Sequence, residues 1–410
     1  MAEHKNTEDG GPEKPVWANL SAGLITGAAD DDPSGIATYS QVGAAFGYGM
    51  LWCILVTMPL MIAIQAISAG IGRVTGDGLM DGMRKYYPHQ LVYALMAAIL
   101  VANVINLAAD IGAMGAALEL LIGGPALLYA AAFAVVSLLL QIFIPFTRYA
   151  PILKLLTLSL FAYVGTVLVI DVPWAAVLKS LVLPPITWNA AYAVGLVALL
   201  GTTISPYLFL WQAAQEVEEI ETSKRRKSLR KAPAQARSAL RRIGIDTTVG
   251  MIFSNLVAFF IILTAAVVLH AHGKTDIQTS AQAAEALRPL AGKLAFALFA
   301  AGIIGTGLLA VPVLAGATAY AASGAFGKRS GLQHKPQGAR FFYAVLIAAS
   351  LAGIALNLTP LDPIKALYWS AVINGVAAVP LMIVMMLMGS RRKVMGEFTM
   401  PWPLKLFGWL

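Results

Sequence analysis

The chain is poor in charge. Only 12% of its 410 residues are Asp, Glu, Lys or Arg, about half the roughly 25% of a soluble domain. It is poor in cysteine too: Cys53 alone excludes an intrachain disulfide and a cysteine metal cluster. Its five histidines, His4, His89, His270, His272 and His334, all lie away from the middle of any apolar run. The first fifteen residues, MAEHKNTEDGGPEKP, lack the apolar stretch and small-residue cleavage site of a secretory signal. Residues 1–15 read as a disordered cytoplasmic tail. What the chain has in excess is apolar surface: 58% of residues are hydrophobic and the mean hydropathy is +0.73. A water-soluble fold has nowhere to put it. The composition is that of an all-α polytopic membrane protein.

Ten segments approach or exceed the roughly 20 apolar residues that a span needs. They are about 17–46, 50–71, 90–122, 125–146, 151–170, 189–216, 244–270, 290–323, 341–358 and 364–389. The end of the chain, PWPLKLFGWL within the tail 391–410, starts an eleventh helix or lies on the interface. With the N-terminus in the cytoplasm, twenty-three of the 29 Lys and Arg fall on the inside and five on the outside. That asymmetry sets the orientation. The net charge of +8 is therefore charge topology and not a nucleic-acid footprint. The most basic run, KRRKSLRKAPAQARSALRR (224–242), sits in a cytoplasmic loop, 217–243. Charge topology accounts for it; contact with anionic lipid is a second reading.

Two segments are built to break. The first, 17–46, is too long to be one straight helix in a bilayer. At its middle stands Asp30-Asp31-Asp32-Pro33-Ser34-Gly35. Pro33 cannot donate a backbone hydrogen bond, and Gly35 tolerates any backbone conformation. Unwound backbone at that depth is tolerated only beside protein or a wet cavity. Three adjacent carboxylates there make sense beside a cation. The sixth segment, 189–216, repeats the pattern with Gly201-Thr202-Thr203-Ile204-Ser205-Pro206. The helix-breaking residues are thus Pro33 and Gly35, Gly201 and Pro206. Ten helices divide into a first repeat, 16–171, and a second, 187–390. Five is odd, so the second enters the membrane inverted. Interrupted helices at matching positions of inverted halves mark a secondary-transporter binding site.

These residues resemble a known family. Asp32-Pro33-Ser34-Gly35-Ile36-Ala37-Thr38, followed by Gln41-Val42-Gly43-Ala44 and Gly47-Tyr48, resembles the first helix of the Nramp family of divalent-metal transporters. That family carries Asp-Pro-Gly-Asn-Ile-Ala-Thr, then Gln-x-Gly-Ala and Gly-Tyr. Gly201 to Tyr207 resembles its sixth-helix motif, Gly-Ala-Thr-Val-Met-Pro-His, and Asn103 to Asp110 a third-segment stretch ending in Thr-Asp. The resemblance covers most of the chain. It implies an inverted five-plus-five fold of the leucine-transporter type and alternating access around one metal ion. The metal would sit among Asp32, Ala29, Gly35, Thr202 and Ser205. Additional ligand or relay positions are Asp30, Asp31, Asp110, Asn374, Tyr207 and Gln212.

The departures from the family carry chemistry. Asp32 is kept. The family's Asn becomes Gly35, its Met becomes Ser205, and the Ala three residues before that Met becomes Thr202. Its two sixth-helix histidines become Tyr207 and Gln212. A family Glu falls near Ala113. The family's tenth-helix Gln aligns near Ala371, one turn before Asn374. A thioether is a soft ligand, whereas hydroxyls and carbonyls are hard. An all-oxygen site around Asp32, widened by Gly35, suits Mg²⁺ or Mn²⁺ over Fe²⁺, and a roomy site suits a partly hydrated Mg²⁺. With the family's histidines and one acid missing, proton coupling is expected to be weak or absent. The cation is cargo and no cofactor is expected. Lipid is the surrounding partner, and a monomer suffices.

Two other readings compete. One is a Na⁺-coupled transporter of a small organic substrate on the same fold. There half-helix N-termini would face a substrate carboxylate, which three acids would repel. The other is a Mg²⁺-dependent intramembrane enzyme, which needs a second acidic cluster that no predicted span supplies. The preferred reading is a divalent-cation transporter, not an enzyme, in the inner (cytoplasmic) membrane of a prokaryote.

Overall fold

A computed structural model of the chain describes residues 22–144, 148, 158–223, 225–359 and 362–410. The tail 1–15, residues 151–157 of the fifth segment and Lys224 of the basic run lie outside these. Among the described residues there is no strand. The first segment is two helices, α1 (Ala22–Asp30) and α2 (Pro33–Phe46). Next come α3 (Leu51–Thr75), a short α4 (Leu79–Tyr86), α5 (His89–Ile122) and α6 (Ala126–Phe143). The bent pair α7 (Phe161–Val169) and α8 (Trp174–Val182) follows, turned by 115° at its break. The sixth segment is again two helices, α9 (Ala190–Thr203) and α10 (Pro206–Thr222). The chain continues through α11 (Ala236–Val268), α12 (Ala295–Phe326), α13 (Arg340–Leu356), α14 (Pro363–Ser390) and a terminal α15 (Trp402–Trp409). At eight residues α15 is too short to be a span.

Among the described residues, seven helical runs are long and apolar enough to cross a membrane, or eight with the bent pair. One of them, Pro33–Thr75, joins the second half of the first predicted segment to the second; Arg340–Leu356 is a shorter apolar helix. Large apolar side chains stand on the outer surface, among them Leu168 (81% exposed) and Val182 (78%). In water that surface would be a liability; facing acyl chains it is the solvent match.

Both breaks have the same local cause. Pro33 and Pro206 each occupy the first turn of the second half-helix, where a missing N–H costs nothing. Each also strips the carbonyl four residues upstream of its helical donor. Those carbonyls belong to Ala29 and Thr202. The two glycines expected to break the helices do not. Gly201 lies inside α9 and Gly35 inside α2; the breaks fall at Asp31–Asp32 and Ile204–Ser205. Gly201 serves a close crossing instead. A Cβ there would stand 1.9 Å from the carbonyl oxygen of Ala371 on α14.

The half-helices pack against α5, α11, α12 and α14. The basic loop folds back on α3, where the N–H groups of Leu229 and Arg230 donate to the carbonyls of Arg73 and Val74 (3.1 and 3.2 Å). Arg242 grips Glu216 through two contacts (2.8 and 2.7 Å) and also reaches Glu219, at 3.1 Å. Arg226 pairs with Glu219. Glu218 differs from its neighbours: it accepts from the Tyr320 hydroxyl and from Leu332 N (2.6 Å), not from the basic loop.

Candidate metal centre

Asp32 sits at the first break, as the N-cap of α2. Its Oδ1 accepts from Ser34 Oγ (2.6 Å) and from the backbone N–H of Gly35 (2.7 Å), a capping arrangement that fixes the rotamer. Its Oδ2 accepts from Asn106 Nδ2 (3.1 Å) and the Tyr207 hydroxyl (3.2 Å). Two broken helices and α5 thus converge on one carboxylate. The carbonyl of Ala29, freed by Pro33, accepts from the same Tyr207 hydroxyl at 2.9 Å. The carbonyl of Thr202, freed by Pro206, accepts from Ser205 Oγ at 3.0 Å, and Ser205 Oγ also donates to Gly201 at 2.8 Å.

Gly35 opens no room. A Cβ at that position would stand 3.1 Å from the Asp30 carbonyl and 3.3 Å from Thr202 Oγ1. The half-helices have closed into the space that the missing side chain leaves, so the widened cavity expected from the sequence is absent here. Asp32, Thr202 and Ser205 are buried, each 2% exposed or less.

Asp30 and Asp31 turn toward α11, where Ser254 Oγ lies 2.5 Å from Asp30 Oδ2 and 3.2 Å from Asp31 Oδ1. Asp110 Oδ2 accepts from Asn106 Nδ2 at 3.2 Å. Asn106 was not singled out from the sequence, yet it is the hub. Its amide nitrogen serves Asp32 and Asp110, and its Oδ1 accepts from Ser370 Oγ (2.9 Å) and Asn374 Nδ2 (3.1 Å). That leaves Asn374 Oδ1 buried without a partner. The sequence signal was spacing: Asn106 and Asp110 are four apart, as are Ser370 and Asn374, so each pair shares a helix face. Gln212 is not brought to Asp32; it donates to Thr247 Oγ1 at 2.8 Å.

Four buried carboxylates, Asp30, Asp31, Asp32 and Asp110, take part in no ion pair among the described residues. Nor do three or more His, Cys, Asp or Glu side chains cluster there in a metal-holding group. The donors around Asp32 are one carboxylate, carbonyls, hydroxyls and an amide. Oxygen donors of this kind are hard ligands. The Met114 thioether lies beside Gly307.

Residues 23–410 match the family described as natural resistance-associated macrophage protein-like, Nramp. The chain belongs to the Nramp family. Its relatives named divalent metal cation transporter MntH include one from Mesorhizobium japonicum, 28% identical over 72% of this chain and 66% of that protein. Another, from Burkholderia ambifaria, is 28% identical over 92% of this chain and 81% of its own length. A third, from Klebsiella pneumoniae strain 342, is 26% identical over 99% and 94%. The chain thus spans just under two thirds of the first of these relatives and most of the other two. In structure it is similar to the Eremococcus coleocola manganese transporter in complex with an aromatic bis-isothiourea substituted compound. The TM-score is 0.72 at 18% identity, over 97% of this chain and 85% of that one. It is also similar to Mhp1, a nucleobase-cation-symport-1 family transporter, at a TM-score of 0.61 and 12% identity, over 90% of this chain and 76% of that one. Both likenesses speak to the fold. Among its described residues this Nramp chain is therefore all-helical, and it shares its fold with these two membrane transporters.

Proposed function

We propose that this Nramp chain carries divalent cations, Mg²⁺ or Mn²⁺, across a prokaryotic inner membrane by alternating access. Ten spans in two inverted repeats, 16–171 and 187–390, would do the work, with the N-terminus in the cytoplasm. The observation that carries the reading is Asp32, buried where two broken helices meet, with Asp30, Asp31 and Asp110 also buried and none of the four in an ion pair among the described residues. The ligands would be Asp32, the proline-freed carbonyls of Ala29 and Thr202, and the hydroxyl of Ser205. All four of these proposed ligands are hard oxygen donors, which favours hard cations over soft ones. Binding sites at paired helix breaks near mid-membrane are the general pattern of secondary transporters. The membrane potential contributes about 2.3 kcal/mol per charge per 100 mV, and a divalent ion feels it twice. Inward flow therefore needs no proton, and transport is read as uncoupled or weakly coupled. The protein acts as a monomer, and lipid is its only other partner.

Uptake into sealed proteoliposomes tests this, with Mg²⁺-, Mn²⁺- and proton-sensitive dyes trapped in parallel. Mg²⁺ and Mn²⁺ entry without acidification, lost in Asp32→Ala, is the expected result. Entry of Mn²⁺ alone, with acidification, overturns the hard-site and uncoupled parts. Uptake of an organic solute driven by Na⁺, with no metal entry, overturns the whole reading.

A further inference from the structure

We propose that the Tyr207 hydroxyl is an internal competitor of the cargo: it holds the two oxygens that a cation takes, and it must leave them for the cation to bind. The inference rests on the cation-transport reading above.

The argument begins with Pro33. Because Pro33 has no N–H, the Ala29 carbonyl has no helical donor. A buried carbonyl left bare is costly, and here the Tyr207 hydroxyl fills the gap at 2.9 Å. The same hydroxyl lies 3.2 Å from Asp32 Oδ2. One O–H carries one proton, so it donates fully to only one of two acceptors. It stands between the carbonyl and the carboxylate, where a cation would stand to bridge them. Tyr207 is held there: it lies in the first turn of α10, directly after Pro206, and its side chain is buried. Asp32 keeps three other donors, Ser34, Gly35 and Asn106. Losing the phenol therefore leaves the carboxylate placed but Ala29 bare.

The consequence is an exchange. A cation that enters displaces the hydroxyl from Ala29 and Asp32, and the returning hydroxyl helps to expel it. The phenol thus tunes affinity downward and release upward. Were the phenol oxygen itself a ligand, its removal would weaken binding instead. The two roles have opposite signs.

The test is calorimetric titration of the full chain in detergent with Mg²⁺ and Mn²⁺, paired with proteoliposome uptake. Tyr207→Phe is expected to bind both cations roughly ten-fold more tightly, the equilibrium equivalent of one hydrogen bond to a charged or bridging acceptor. Its maximal uptake rate should fall while KM falls with it. A ring-fluorinated tyrosine at 207 keeps the shape and makes a stronger donor. It should bind the cations more weakly than the wild type, and it serves if Tyr207→Phe does not fold. Weaker or unchanged binding in Tyr207→Phe overturns the inference, as does unchanged binding in the fluorinated protein. If the wild type binds neither cation and Asp32→Ala makes no difference, it is the cation-transport reading that has failed.

Discussion

Gly201 offers the sharpest test of how the site is held. A Cβ there would lie 1.9 Å from the Ala371 carbonyl oxygen and 2.5 Å from Gly375 N. Both are backbone atoms of α14, so no side chain can swing aside. In Gly201→Ala the two helices must part by at least about 1 Å, an overpacking that costs roughly 1–3 kcal/mol. The damage reaches further. α14 carries Ser370 and Asn374, which donate to Asn106 at 2.9 and 3.1 Å. A shift of that size stretches both bonds past useful length, at about 1 kcal/mol each. The sum is about 3–5 kcal/mol. Gly244→Ala is the control: it is also helical, and a Cβ there meets nothing within 4 Å. Relief of glycine's conformational cost should stabilise that variant by about 0.5–1 kcal/mol. Thermal unfolding of the two purified variants in the same detergent, with cation uptake, gives the comparison. Gly201→Ala should melt several degrees lower with impaired uptake, and Gly244→Ala at or above the wild type. Equal melting temperatures with unchanged uptake KM would refute the close-crossing argument.

Two further predictions concern the end of the molecule that bears the basic loop. Glu216 is 2% exposed and held by Arg242. Arg242→Ala removes the two hydrogen bonds that carboxylate accepts, with Arg73 and Arg226 left to act on it, and should cost about 2 kcal/mol; adding Glu216→Gln should recover part of the loss, and a double-mutant cycle with no coupling would contradict the pairing. Asp81, on α4, has its carboxyl pushed up to about 6, first by burial and then by Asp77, against the opposing pull of Arg84 and Lys85. A folded-state value raised above the usual 3.8 means that ionisation destabilises the fold. Wild-type stability should therefore fall as pH rises from about 4 through about 6, by roughly 2–3 kcal/mol in all. Asp81→Asn should match the wild type near pH 4 and melt above it at pH 7; parallel curves across that window would show that Asp81 is not the group responsible.

Much of the site was legible because it is local. The two prolines, the three aspartates before Pro33 and the hydroxyls around Ser205 lie within short stretches, and each stretch announces a break in an apolar run too long for one span. Hydropathy and charge settled the class for the same reason, since the bilayer imposes its demand on every segment separately. The resemblance to Nramp motifs sits on those same residues.

The rest depends on helices meeting. Asn106 bonds Ser370 and Asn374 across more than 260 residues of chain, and no periodicity in α5 says which face of α14 it will meet. Gln212 shares a helix with Tyr207, yet the packing turns it to Thr247 instead of the carboxylates. Gly35 read as added space and Gly201 as a break, because a missing side chain has no fixed meaning in one dimension. In three dimensions the neighbouring backbone closes on it. Sequence determined where the chain must break and which groups are freed there, because a proline withholds its N–H whatever surrounds it. Only the tertiary structure decided what those freed groups hold, because a hydrogen bond between distant helices exists only once packing has placed both ends.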